Sequence, residues 1–213
     1  MLKDLNINDF MLELSSSSPA PGGGSTAALS AAAAASLCSM VFNLTIGKKA
    51  YNEFDEELKN RIVKSLNFSE ELKADFVNAM DRDTDVFLQL MTAFKLPKNS
   101  EEEKIKRSEA IQLNTKKALE VPMELAVNSF KLYEHIKLAA VCGNLSAVSD
   151  AGVSALMLQS AIEGAVLNVK INLTSIKDEA YKEKIRKQCE ELLSESQKNR
   201  EEILKIVNEK IEG

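Results

Sequence analysis

Residues 15–47 read SSSSPAPGGGSTAALSAAAAASLCSMVFNLTIG, a run of 33 residues without one charge. Its first part, Ser15 to Ser25, holds five Ser, two Pro and three consecutive Gly, and such a cluster predicts a loop. From about Thr26 to Ile46 the chain is Ala-rich and free of Gly and Pro, which predicts a helix. That helix is apolar or small on every side, so it must be buried. It is long enough to cross a bilayer. However, Ser30, Ser36, Ser39, Asn43 and Thr45, with Ala dominating over Leu and Ile, favour burial within protein. Small side chains allow backbones to approach closely, so its expected place is the centre of a bundle or a subunit interface.

Outward from this stretch the pattern stays helical. Leu5 to Leu14 reads as a short amphipathic helix, packed as a lid, with Ile7, Phe10, Met11 and Leu14 on one side. From about Asp55 to Lys95 an apolar stripe at spacings of three and four predicts one long helix, broken in pattern only at Ser69 and Asp83. Leu96-Pro97-Lys98-Asn99 ends it, and Ser100-Glu101-Glu102-Glu103 has the form of a capping box. The helix it opens runs towards Ala118 and on to about Val141, with Pro122 expected to kink or divide it. Gly143-Asn144 is a stop signal, and Ser149 is expected to cap a second buried helix from Asp150 to about Ile176, whose only charge between Ala151 and Val169 is Glu163. Asp178 to Ile211 is charged on most sides and belongs on the outside. No alternating strand, hairpin signal or fixed-period repeat occurs. The reading is all-α: one domain, 1–213, a bundle of long kinked helices around central Ala-rich buried ones, expected to be dimeric because two nearly uncharged helices are much apolar surface for one subunit to hide.

Composition narrows the function classes. The 27 basic and 32 acidic side chains give a net charge of -5, which disfavours electrostatic capture of nucleic acid or of an anionic membrane. One His (His135) and three scattered Cys (Cys38, Cys142, Cys189) supply neither a zinc motif nor a paired-thiol motif, so no metal is expected. Unpaired thiols and a start without a basic, then apolar, leader pattern point to the cytoplasm. Chemistry, if present, must rest on carboxylates, Lys or Arg.

Two acids interrupt apolar helices. At about 100° per residue Asp83 falls within about 20° of Leu90, Phe76 and Phe94, so its carboxylate points into the apolar seam and requires a partner, a proton or a ligand. It is either a buried, hydrogen-bonded structural acid or a functional one. Asp150 lies in the first turn of its helix, where the macrodipole stabilises an anion, which is an ordinary structural place. The compact polar loop before it, Cys142 to Ser146, also suits a site. Gly22-Gly23-Gly24 precedes a helix and could admit an anion or a close ligand, yet no Gly-Lys-Ser follows and the spacing is not that of a dinucleotide fingerprint. It reads equally as a flexible linker. Lys48 and Lys49 complement a helix C-terminus, and Arg107 lies inside the first turns of its own helix. Neither Ser25 nor Cys38 has the neighbours of a nucleophile, and His135 reads as surface or core.

The string Ser18-Pro19-Ala20-Pro21-Gly22-Gly23-Gly24-Ser25, the Ala-rich helix and Leu44 to Lys49 resemble the formiminotetrahydrofolate cyclodeaminase / methenyltetrahydrofolate cyclohydrolase family. In order along the chain, so do Asp81 to Phe87, Leu96 to Asn99, Lys104 to Arg107, Val121-Pro122, Gly143-Asn144-Leu145, Ser149 to Gly152 and Asn168 to Leu173. The resemblance implies a homodimeric, all-helical folate enzyme without metal or prosthetic group, whose substrate is a tetrahydrofolate derivative. It forms or hydrolyses the 5,10-methenyl bridge, by loss of ammonia from the formimino compound or by addition of water. It further implies Asp150 as main general acid/base, with Asp83 its partner in one cavity or the group that binds the pterin, and Lys48 and Arg107 orienting substrate or meeting its glutamate carboxylates. Gly22, Gly23, Gly24 and Asn144 would contact substrate. The alternative is a folate-binding or scaffolding bundle without turnover.

Overall fold

The computed structural model describes residues 1–213 and contains helices and loops only. The helices are α1 (Ile7–Leu14), α2 (Gly23–Thr45), the single turn α3 (Lys49–Asn52), α4 (Glu56–Phe94), α5 (Glu101–Cys142), α6 (Val148–Leu173) and α7 (Glu179–Glu212). Two layers form the bundle. Helices α2 and α6 lie side by side, α2 resting on α4 and α5, and α6 on α5 and α7.

Short-range chemistry sets most helix starts. Asp55 accepts a hydrogen bond from the Leu58 N–H (2.7 Å), and Asp178 one from that of Tyr181 (3.0 Å). Ser100 and Glu103 close the reciprocal capping box foreseen in the sequence. Three starts or interiors differ from expectation. Helix α2 begins at Gly23, so the glycines form its first turn instead of a loop. Helix α6 begins at Val148 behind a 3-10 turn, Leu145–Ala147, which is itself capped because the Asn144 side chain accepts from the Ser146 N–H; Ser149 is therefore inside the helix and caps nothing. Pro122 does not divide α5, which runs unbroken from Glu101 to Cys142. Proline denies the Ala118 carbonyl its usual partner, and the Asn172 side chain donates to that oxygen instead (3.1 Å).

The Ala-rich helix is as buried as its composition required. Ala31, Ala34 and Ala35 are fully covered, and Gly164 of α6 lies against Ala27. Two hydroxyls tie the antiparallel pair together: Ser30 donates to the Met157 carbonyl (2.8 Å) and Ser154 to that of Ala34 (2.7 Å). Each bond satisfies a polar group that burial would otherwise leave unpaired. The break at Ser69 is a small residue facing α2, with its hydroxyl on the Ser65 carbonyl and near the Cys38 sulfur. Segments 23–45 and 145–173 are long and apolar enough to cross a bilayer, and more than half of each such stretch is buried in the bundle. Helix α7 is the charged outer helix, with Ile185, Cys189, Ile203 and Val207 facing in.

Candidate functional site

A cleft of about 420 Å³ opens where the start of α2 meets the middle and end of α4 and the end of α6. Its volume falls within the range usual for small-molecule sites. Pro19, Ala20 and Gly22 to Gly24 form one wall, Asp83, Phe87, Leu90 and Phe94 a second, and Asn168, Ile171 and Asn172 a third.

Asp83 is the one carboxylate in it. The acid reaches the first turn of α2 because residue 24 has no side chain: a Cβ there would overlap the Asp83 carboxylate. Gly24 is thus a packing requirement, at a cost in helix propensity of up to about 1 kcal/mol. The Ser25 hydroxyl donates to Asp83 Oδ2 (3.1 Å) and also lies 3.2 Å from the Met80 carbonyl. Burial raises the Asp83 pKa above the ordinary carboxylate value, and hydrogen bonds from the Ser25 hydroxyl and backbone N–H offset part of that rise. A half-buried acid so placed changes protonation more easily near neutral pH than a free Asp does.

The sequence-derived site residues divide into two groups. Gly22, Gly23, Gly24 and Asp83 meet in the cleft. Arg107 is not among the lining residues; its guanidinium donates to the carbonyl of Phe94 (3.1 Å), a residue of the cleft wall, and its Nε is buried without a partner. Asp150, Lys48 and Asn144 are elsewhere. Because α2 and α6 run antiparallel with Ser154 against Ala34, Asp150 lies roughly 20 Å along α2 from Gly24, at 1.5 Å per residue. Within this chain, the expectation that Asp83 and Asp150 share a cavity is therefore corrected: they belong to opposite ends of the α2–α6 pair. Lys48 and Asn144 line a separate hollow with Tyr51 and Phe54. Asn144 is engaged there in holding the loop to the end of α2, its N–H donating to Thr45 Oγ1 (2.8 Å) and its side chain to the Leu44 carbonyl (3.1 Å).

Other singled-out groups are structural. Cys38 is fully buried, which pushes its thiol up to about 12 and makes it a poor nucleophile. His135 shares a hydrogen bond with Ser65 (2.9 Å) and lies against the Phe68 ring. No three His, Cys, Asp or Glu side chains converge as metal ligands do.

The sequence reading did not single out Asn168 and Asn172 as site residues, though both line the cleft. Their spacing of four put them on one face of α6, and two amides amid Val, Leu and Ile were the available signal.

Known proteins resemble this chain over nearly its whole length. A "Methenyltetrahydrofolate cyclohydrolase" of Methylorubrum extorquens is 38% identical over 205 residues, covering 96% of this chain and 97% of its own. The "Formimidoyltransferase-cyclodeaminase" of Rattus norvegicus is 36% identical over 195 residues, and the match spans 35% of that longer protein. A formiminotetrahydrofolate cyclodeaminase from Thermotoga maritima superposes with a TM-score of 0.79 at 27% identity, covering 100% of this chain and 98% of that one. Residues 6–191 match the family described as formiminotransferase-cyclodeaminase, and this chain belongs to that family.

Proposed function

We propose that the protein is a folate one-carbon enzyme that makes or opens the 5,10-methenyl bridge of tetrahydrofolate, with Asp83 as its proton carrier. The carrying observation is the Asp83 carboxylate, set against Gly24 and Ser25 in the main cleft and raised in pKa by its burial. The names of the relatives supply the substrate class.

Both reactions need one proton taken and one given. In hydrolysis, water adds to the bridging carbon and ionised Asp83 takes its proton. The carbinolamine then collapses as Asp83 returns the proton to N5 and the carbinol hydroxyl gives up its own proton to solvent, leaving the 10-formyl compound. In deamination, N10 adds to the formimino carbon and loses its proton, and protonated Asp83 delivers one to the departing ammonia. A carboxyl whose pKa burial raises serves both halves, a contribution of about 10²–10⁴ in rate. Gly23 leaves the α2 start exposed, where the dipole favours electron-rich atoms of substrate. The glutamate carboxylates are assigned to Arg107, which is tied to the cleft residue Phe94 by its bond to that carbonyl and is a charge-assisted donor. Asp150 retains the role its position supports, a first-turn anion on α6.

Purified protein offered 5,10-methenyltetrahydrofolate and 5-formiminotetrahydrofolate in parallel will consume the methenyl absorbance, release ammonia from the formimino compound, or both. Inertness towards both compounds would refute the reading. Arg107→Gln is expected to raise KM about tenfold with little change in kcat, and the increase should vanish for a tetrahydropteroate substrate that has no glutamate. Ser25→Ala removes the hydrogen bond that lowers the Asp83 pKa. The acidic limb of its kcat/KM profile should therefore move to higher pH than in the wild type, and an unmoved limb would separate Ser25 from the titrating group.

We also propose a homodimer formed through the outer face of α2 and α6. Met40, Leu44, Val153, Leu156, Leu167 and Ile171 are exposed on these helices, opposite the side covered by α4, α5 and α7. Sedimentation at micromolar concentration should give the dimer mass, and a sharp monomer would contradict this.

A further inference from the structure

We infer that Asn168 and Asn172 form a pair of fixed hydrogen-bond acceptors that binds the N–H groups of the reduced pterin ring along α6, so that the ring, and not the aminobenzoyl-glutamate arm, occupies the deep part of the cleft. This inference rests on the folate reading above and goes beyond it by assigning the ring to a wall.

The two amides are oriented, not free. Asn168 Nδ2 donates to the Gly164 carbonyl (2.8 Å), and Asn172 Nδ2 donates to the Ala118 carbonyl (3.1 Å). Rotating either amide by half a turn would set oxygen against oxygen, so the nitrogens are held back and the oxygens keep their lone pairs available. Both side chains line the cleft. Residues four apart on a helix have Cβ atoms about 5–6 Å apart, which places the two acceptors within reach of one bicyclic ring.

Two features that are otherwise costly maintain this arrangement. Pro122 lies inside α5 and is buried, and the carbonyl it deprives of a helical partner is the one that holds Asn172. Gly23 is the second. A Cβ there would lie 3.3 Å from Asn168 Nδ2 and 3.6 Å from its oxygen, pressing on the amide. The start of α2 is therefore flanked by Asn168 beside Gly23 and by Asp83 beside Gly24. A ligand presenting N–H donors to α6 and its reacting carbon to Asp83 satisfies both sides. A tetrahydropterin has such donors along one edge at the 2-amino group, N3 and N8, whereas the aminobenzoyl arm has only single N–H groups at opposite ends of its ring, N10 and the glutamyl amide.

The test is equilibrium binding of 5-formyltetrahydrofolate to the full-length wild type and variants, with methenyltetrahydrofolate turnover of the wild type measured beside it. Asn168→Ala and Asn172→Ala are each expected to weaken binding about tenfold. Asn168→Asp keeps the shape but sets an oxygen against the Gly164 carbonyl, so the acceptor loses its anchor and binding should also weaken about tenfold, a loss that packing alone would not give. Should an alanine variant fail to fold, Asn168→Ser and Asn172→Ser keep a short polar group and withdraw the oxygen from the cleft, and the same tenfold loss is expected. Folded variants binding within twofold of a wild type that turns over methenyltetrahydrofolate would overturn the inference and leave the function standing. A wild type that neither binds nor turns over folate would overturn both.

Discussion

Asp83→Asn is expected to lower turnover about 10³-fold while leaving binding of folate within a few fold and making the protein more stable, not less. Asn has the shape of Asp and cannot exchange a proton near neutral pH, so the chemical step is lost without emptying the site. The stability gain follows from the direction of the pKa shift. A carboxyl raised in the folded state binds its proton more tightly there than in the unfolded chain. Its contribution is complete below the unfolded carboxylate range and is lost as pH rises through the folded value. At pH 8 the wild type therefore holds a half-buried anion that the variant does not, and the variant's melting temperature should be higher by a few degrees, for a difference on the order of 1 kcal/mol. Acidification towards pH 4 should close the gap. A variant that melts lower than wild type at pH 8, or one with near-normal turnover, would contradict this account of the acid.

Gly24→Ala is expected to reduce kcat at least 100-fold, since a shift of about 1 Å in a reacting group is enough for such a loss. Ala is the better helix former by about 1 kcal/mol, so propensity alone predicts a more stable protein. Here the new methyl overlaps the Asp83 carboxylate, and either the acid swings away or α2 moves off α4. Overpacking of this kind costs about 1–3 kcal/mol. The double variant Gly24→Ala, Asp83→Ala removes the overlap and should melt above Gly24→Ala alone. Gly22→Ala is the control: nothing lies near the space its Cβ would fill, and turnover should stay within about twofold. Equal activity of the Gly24→Ala and Gly22→Ala variants would show that Asp83 does not depend on the bare start of α2.

What the sequence revealed and what it hid follow the range of the interactions concerned. Local rules acted on local chemistry: the capping box at Ser100 and Glu103, the buried character of α2 and α6 and the charged face of α7 stand as read. The inward turn of Asp83 was also legible, because one helical period relates it to Phe76, Leu90 and Phe94. Three features depended on distant partners and were not legible. Pro122 reads as a divider until Asn172, 54 residues beyond Ala118, takes the carbonyl it frees. Gly23 and Gly24 read as a loop until Asn168 and Asp83 crowd the space of their missing side chains. Asp150 is paired with Asp83 by the family resemblance alone. Periodicity along each helix says nothing about which ends of antiparallel helices meet, and the Ser154 to Ala34 bond puts Asp150 at the far end. The glycines were placed by likeness of motif and line the same cleft as Asp83, whereas Arg107, placed in the same way, lies outside that lining and bonds to the Phe94 carbonyl.

The most direct test of the central claim is to titrate Asp83 itself by carbon-13 NMR of aspartate-labelled protein, using Asp83→Asn to assign its carboxyl signal, beside the pH dependence of kcat/KM. The account predicts that this carboxyl titrates above the ordinary aspartate range and that its midpoint coincides with the acidic limb of the rate profile. A carboxyl titrating with the solvent-exposed aspartates, or a rate limb that does not follow it, would show that Asp83 is not the group that moves the proton.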